Sequence, residues 1–227
     1  MITAVVFIPA APLMCPDVDV ESLLADERAV SIELIAELQQ DAERIIVIGA
    51  GTSTTWFEDG GIGNTRGFGG VSHYAIGTGL DELPQSLTVG ASVVSATGWA
   101  GEVQALVIDA DTTIGQRQVL AKEVVANSGD QRTLIVAVGD GSATRTEKAP
   151  GYIQPDALDF DAAVVRAIDS VDRNALMAIE QSTADRLWCR GLPTWQVVAQ
   201  AIDTAHGAVV FESSPFGVNY FVASWRI

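Results

Sequence analysis

The stretch RIIVIGAG, residues 44–51, places four apolar residues in a row, Ile45 to Ile48, between an arginine and a glycine-rich turn. Its apolar character is continuous and does not alternate, which suits a strand covered on both faces. Three more stretches match it on either side: Thr3 to Ile8, VQALVID (103–109) and RTLIVAVGD (132–140). Between them lie segments with helical spacing. Leu23, Leu24, Ile32, Leu34, Ile35 and Leu38 mark a helix from about Val20 to Gln40, with Asp19 or Ser22 as its cap. LPQSLTVGASVVSATGWA (83–100) admits helix or strand and is read as helix, although Gly90 weakens either reading. TTIGQRQVLAKEVVANSG (112–129) is a helix ending at Gly129, with Asp111 or Thr112 as its cap.

Strand–helix alternation of this kind predicts an α/β fold: a central mixed, mostly parallel sheet flanked by helices on both faces. From Asp156 the chain reads as helical through PTWQVVAQAID (193–203), with His206 closing the last helix. GAVVFES (207–213) and GVNYFVASW (217–225) then form a closing antiparallel hairpin around a Ser-Ser-Pro turn. GTSTTWFEDGGIGNTRGFGG (51–70) is too rich in Gly, Thr, Ser and Asn for regular structure and is expected to be a loop. At 227 residues, with 48% hydrophobic and 19% charged residues, the chain suits a single domain over 1–227.

Charge narrows the partners. Thirteen Lys and Arg stand against 29 Asp and Glu, a formal net charge of −16, and no basic cluster breaks the pattern. Such a field repels phosphate backbones and anionic lipid, so neither nucleic acid nor membrane is an expected partner. Cys15 and Cys189 form no CxxC pair, no apolar run approaches about 18 residues, and the expected compartment is the cytoplasm.

Ligands of open α/β sheets bind outside the carboxyl ends of the strands, which selects the loops Pro9 to Met14, Ala50 to Phe57, Asp109 to Thr113 and Asp140 to Lys148. GAGTSTT (49–55) offers amides and hydroxyls, including Ser53 and Thr54, but meets neither a dinucleotide nor a P-loop motif. GDGSATRTEKAPGY (139–152) carries Asp140, Ser142, Arg145 and Lys148. Asp140 and Ser142 suit hydrogen bonding, and Arg145 or Lys148 suits an anionic group; a salt-bridged surface loop would use the same residues, and both readings stand. For a metal, Asp109, Asp111, Glu212 and His73 are weak candidates, since only two histidines exist.

Three stretches resemble a known family. VVFIPAAPLM (5–14), VAVGDGSATRTEKAPGYIQPDALDFDAAV (136–164) and SSPFGVNYFVASW (213–225) are similar, in order, to segments of the LigB-like superfamily of class III extradiol ring-cleavage dioxygenases, whose relatives include Memo-like proteins. The likeness points to an actinobacterial branch. It implies an α/β core and a non-haem Fe(II) held by two histidines and a glutamate, with a further histidine as acid/base. Carried across, the metal histidines fall at Ala10 or Ala11 and in the Ala50 to Thr52 turn, the catalytic histidine falls on Ala143, and Glu212 corresponds to the acidic ligand. Alanine has no donor atom for iron. The expectation is therefore a protein that has lost iron-dependent ring cleavage and binds a small polar or anionic ligand in a cleft of Ser53, Thr54, Asp140, Ser142, Arg145 and Lys148, with no cofactor. The alternatives are altered, metal-assisted chemistry or a structural role in a homo-oligomer.

Overall fold

The computed structural model describes residues 1–227. β1 (Ile2–Ile8), β2 (Arg44–Gly51), β7 (Glu102–Asp109) and β8 (Thr133–Val138) form the parallel centre of a seven-stranded sheet. With β3 (Thr55–Phe57), β9 (His206–Ser213) and β10 (Tyr220–Arg226) added, its order is β3-β7-β2-β8-β1-β10-β9. β3, β10 and β9 pair antiparallel to their neighbours, which makes the sheet mixed.

The continuous apolar runs divide between two cores by residue parity, as the two-residue strand period requires. Val6, Ile8, Ile45, Val47, Leu134 and Val136 face one layer. That layer is closed by α1 (Ala25–Leu38) and α2 (Gln85–Ala96). Val5, Phe7, Ile46, Ile48, Ile135 and Ala137 face the other. There α3 (Ile114–Ser128), α4 (Ala157–Asp169), α5 (Arg173–Ala178), α6 (Gln181–Arg186) and α7 (Leu192–Ala201) supply the cover.

Gly90 sits in α2 because the helix lies close on the sheet: a Cβ there would come within 2.5 Å of Val47 Cγ1 and 3.0 Å of Val138 Cγ2. Alanine would gain about 1 kcal/mol of helix propensity, but overpacking costs roughly 1–3 kcal/mol. Gly90→Ala is therefore expected to lower the urea midpoint of unfolding. A raised midpoint would show that α2 can lift off the sheet freely.

Four local expectations need correction. The first long helix spans only Ala25–Leu38, because Asp19 draws its carboxylate onto the N–H groups of Leu23 and Leu24 and holds that segment as a turn. Residues 51–70 are not irregular: β3 lies there, and β4 (Gly60–Asn64) pairs with β5 (His73–Gly77) and β6 (Glu82–Leu83) in a second, three-stranded sheet. The cap of α3 is Thr113, in a reciprocal capping box with Gln116, and neither Asp111 nor Thr112. His206 opens strand β9, since the last helix has already ended at Ala201.

The second sheet is tied to the rest by Asp17. Its carboxylate accepts hydrogen bonds from the Thr65 and Tyr74 hydroxyls, both at 2.7 Å, and from the Val71 and Ser72 N–H groups at 2.8 and 2.9 Å. Burial works to raise the Asp17 pKa, but these four donors outweigh it and hold the carboxyl well below the usual carboxylate range. A depressed folded-state pKa contributes stability above the unfolded value of about 3.9, and that stability is lost as pH falls through the folded value. Asp17→Asn, whose amide nitrogen cannot accept, is expected to cost about 2 kcal/mol at pH 7 and to blunt the loss of stability in acid. Unfolding curves at pH 7 and pH 3 check both.

Candidate functional site

The carboxyl ends of β1, β2, β7 and β8 open on a cleft of about 520 Å³. Ala10 and Pro12 follow β1; Ala50, Gly51 and Thr52 end β2; Ala110 follows β7; Val138 and Asp140 end β8. Pro84, Gln85 and Ser86 bring the N-terminus of α2 to the same rim, and Arg190 arrives from the turn before α7. The strand-end loops selected from the sequence thus meet at one site.

Backbone contacts place the two charged groups. Gly139 and Gly191 pass so close that a Cβ on Gly139 would lie 2.5 Å from the Gly191 Cα. The Gly191 N–H donates to the Asp140 carbonyl at 3.0 Å, and the Cys189 thiol donates to that same oxygen at 3.5 Å. This docking brings Arg190 to the cleft. Its guanidinium forms no ion pair, unlike those of Arg145 or Arg186. Asp140 Oδ1 accepts the Ala10 N–H at 2.6 Å, while its Oδ2 has no partner within the chain. Burial pushes the Asp140 carboxyl up to about 7, against the pull of the Ala10 N–H. The Ser86 hydroxyl donates to the Ala50 carbonyl at 2.7 Å, pinning the start of α2 against the end of β2; no side chain caps the first turn of α2.

Of the six cleft residues expected from sequence, only Asp140 lines this cavity. Ser142 is sealed in the interior: its N–H and hydroxyl donate to Asp161 at 2.8 and 2.5 Å. Arg145 donates through Nε to Asp161 at 2.7 Å and reaches Glu212 at 3.4 Å. These two therefore follow the salt-bridged reading of their loop and are spent on holding it. Ser53 lines a separate recess with Arg66, the Thr54 hydroxyl accepts the Asp109 N–H at 3.0 Å, and Lys148 is exposed.

The metal candidates are also dispersed. Asp109 accepts the Asp111 N–H at 2.9 Å in a local turn, Glu212 lies on β9 with Arg145 and Asn219, and His73 is exposed on β5 of the other sheet. No group of three or more His, Cys, Asp and Glu is arranged to hold a metal ion. The positions compared with iron ligands carry methyl groups: Ala10 and Ala50 line the cleft, Ala11 is buried beside it, and Ala143 is buried at 8% exposure with its N–H on the Leu187 carbonyl. With Asp140 as the one carboxylate and no imidazole at the cleft, these residues do not fit an Fe(II) site.

Arg190 and the α2 N-terminus are the parts of the cleft that the sequence does not announce. Arg190 lies in TADRLWCRG (183–191), which reads as helix, and only the Gly139–Gly191 approach brings it to the strand ends.

No helix is long and apolar enough to cross a membrane. No family model and no curated protein matches the chain. Among solved structures, the crystal structure of an uncharacterised protein from Escherichia coli K12 matches with a TM-score of 0.62 at 14% identity, covering 99% of this chain and 100% of that one. At that identity the likeness concerns the fold alone, and it extends the α/β architecture over the whole length of both chains.

Proposed function

We propose that the chain is a small-anion-binding protein on a LigB-like dioxygenase scaffold, without the catalytic iron of that family. The observation that carries this reading is the cleft itself, which an arginine without an ion pair, Arg190, lines together with Ala10 and Ala50 at the strand ends. In a chain of net charge −16, an arginine left without a carboxylate is an available anion partner. The uncapped N–H groups of α2 add partial positive charge on the same rim.

Titration calorimetry with pentanoate and with inorganic phosphate tests the reading. At least one should bind, and Arg190→Ala should weaken it roughly tenfold or more with the melting temperature unchanged. Binding of neither, or binding indifferent to Arg190, would sink it. Iron analysis after incubation with Fe(II) adds a second check: one tightly held ion per chain would restore the ring-cleavage reading.

A further inference from the structure

Asp140 is the one side chain lining the cleft that can take a proton from a bound molecule. No histidine, cysteine, lysine or second carboxylate lines the cavity. Of the two hydroxyls there, Ser86 is committed to the Ala50 carbonyl, and neither it nor Thr52 is hydrogen-bonded to a base, so the cleft holds no activated nucleophile. Its chemistry is therefore that of a single base.

Geometry fits Asp140 to that task. The Gly139 N–H donates to the Ile8 carbonyl at 2.9 Å and the Gly191 N–H to the Asp140 carbonyl at 3.0 Å, which fixes the main chain on both sides of the residue. The Ala10 N–H, at 2.6 Å, holds Oδ1. Oδ2 has no partner and is not among the sealed polar atoms that lack one, so it opens to the cavity that Asp140 lines. One oxygen thus orients the carboxyl while the other stays free, the arrangement of a general base set in place before its substrate arrives. Arg190 lines the same cavity and no ion pair joins it to Asp140, so base and anion partner are not spent on each other. Burial supports the role, since a carboxyl pushed up to about 7 can both take and return a proton near neutral pH.

We propose that Asp140 Oδ2 is the general base of a proton-transfer activity in this cleft, acting on the carbon next to the ketone of a small oxo acid whose carboxylate lies on Arg190. This rests on the anion-binding reading and adds a reaction and a substrate class to it. A carboxylate is too weak a base for an ordinary C–H bond, which is why the carbon has to be activated by a neighbouring carbonyl. The C–H bond breaks, its proton goes to Oδ2, its electron pair becomes the new C=C bond, and the carbonyl π pair moves onto the ketone oxygen. The first-turn N–H groups of α2, which no side chain caps, lie on the same rim and are the donors for that oxygen as it gains charge. Return of a proton from Oδ2 to the same carbon restores the ketone, so no oxidant, reductant or co-reactant is consumed.

The test follows 4-oxopentanoate by proton NMR in deuterated buffer at neutral pD. A proton held on Oδ2 exchanges with solvent before one is returned, so C3, the methylene between the ketone and C2, should take up deuterium faster than with an equal concentration of acetate, by roughly tenfold or more. Uptake should stop at one deuterium, because one carboxylate reaches one face of the carbon. Pentanoate, which lacks the ketone, should suppress the exchange by competition, and Arg190→Ala should raise the 4-oxopentanoate concentration that gives half-maximal exchange roughly tenfold. Asp140→Asn keeps an acceptor for the Ala10 N–H but no basic oxygen, and should lower the exchange roughly a hundredfold or more. The competition and the single deuterium are read on the unsubstituted protein and stand even where that variant folds poorly. Exchange no faster than with acetate, equal uptake of both deuteriums, indifference to pentanoate, or an unchanged rate in Asp140→Asn overturns the activity; pentanoate binding through Arg190 then still upholds the anion reading. Absence of binding by pentanoate, 4-oxopentanoate and phosphate overturns both.

Discussion

Asp161→Ala is expected to cost about 3–5 kcal/mol of folding stability, because it strands a buried charge. The Asp161 carboxylate has no exposed surface; it takes the Ser142 N–H, the Ser142 hydroxyl and Arg145 Nε. Arg145 is itself only 11% exposed, and its one other partner, Glu212, is 40% exposed and at 3.4 Å. Removing Asp161 leaves a desolvated guanidinium with a weak, screened partner and orphans two donors of a fully buried serine. Asp161→Asn should fall between, since one amide oxygen can still serve Ser142 while the amide nitrogen faces Arg145. Chemical denaturation orders the three proteins. A cost below about 1 kcal/mol for the alanine variant, the size of a surface pair, would mean that water enters the loop and solvates Arg145.

This network also shows why the site is only partly legible in the sequence. Asp140 is recoverable because the end of a buried parallel strand is a defined place in the fold. Ser142 and Arg145 are not separable from it, since a polar loop beyond a strand has one composition whether its side chains turn outward to a ligand or inward to a carboxylate. What turns them inward is Asp161 on α4, 19 residues from Ser142, and no local pattern announces that pairing. Arg190 depends on a contact between two glycines far apart in the chain, Gly139 and Gly191, where absence of a side chain is the signal.

The fold is legible where burial drives it and illegible where backbone packing does. β2 and β8 carry their own evidence in runs of buried apolar residues. β4 is GGIGN, with no side-chain period to read. Its pairing depends on glycines: Gly60 has a φ of +76°, and a Cβ there would overlap the Ile76 carbonyl across the ladder. The resulting small sheet positions the start of α2, since Leu83 of β6 is followed directly by Pro84 and Gln85 at the cleft rim. A glycine-rich stretch that looks like a loop is thus part of the site's framework.

Arg117 gives the second large effect. It is 2% exposed on α3 and has no carboxylate within ion-pair distance; burial pulls its pKa below the ordinary value, with the charge of Asp185 working against that. Its donors are answered by neutral acceptors instead: Thr112 Oγ1 at 3.2 Å, Gln196 Oε1 at 2.6 Å, Gln181 Oε1 at 2.5 Å and the Ala110 carbonyl at 3.1 Å. One side chain therefore joins α3, α6, α7 and the loop that forms the β7 wall of the cleft. Arg117→Ala leaves Gln196 Oε1 buried without its donor, takes the donors from three part-buried acceptors and opens a cavity, for an expected loss of about 3–4 kcal/mol. Arg117→Lys should recover little of it, because a single ammonium cannot span acceptors spaced for a planar fork. Since Ala110 lines the cleft, both variants should also weaken pentanoate binding at temperatures where they remain folded. If lysine restores stability to within about 0.5 kcal/mol, a surface-like tolerance, then charge and not fork geometry holds this wall, and ligand binding should recover with it.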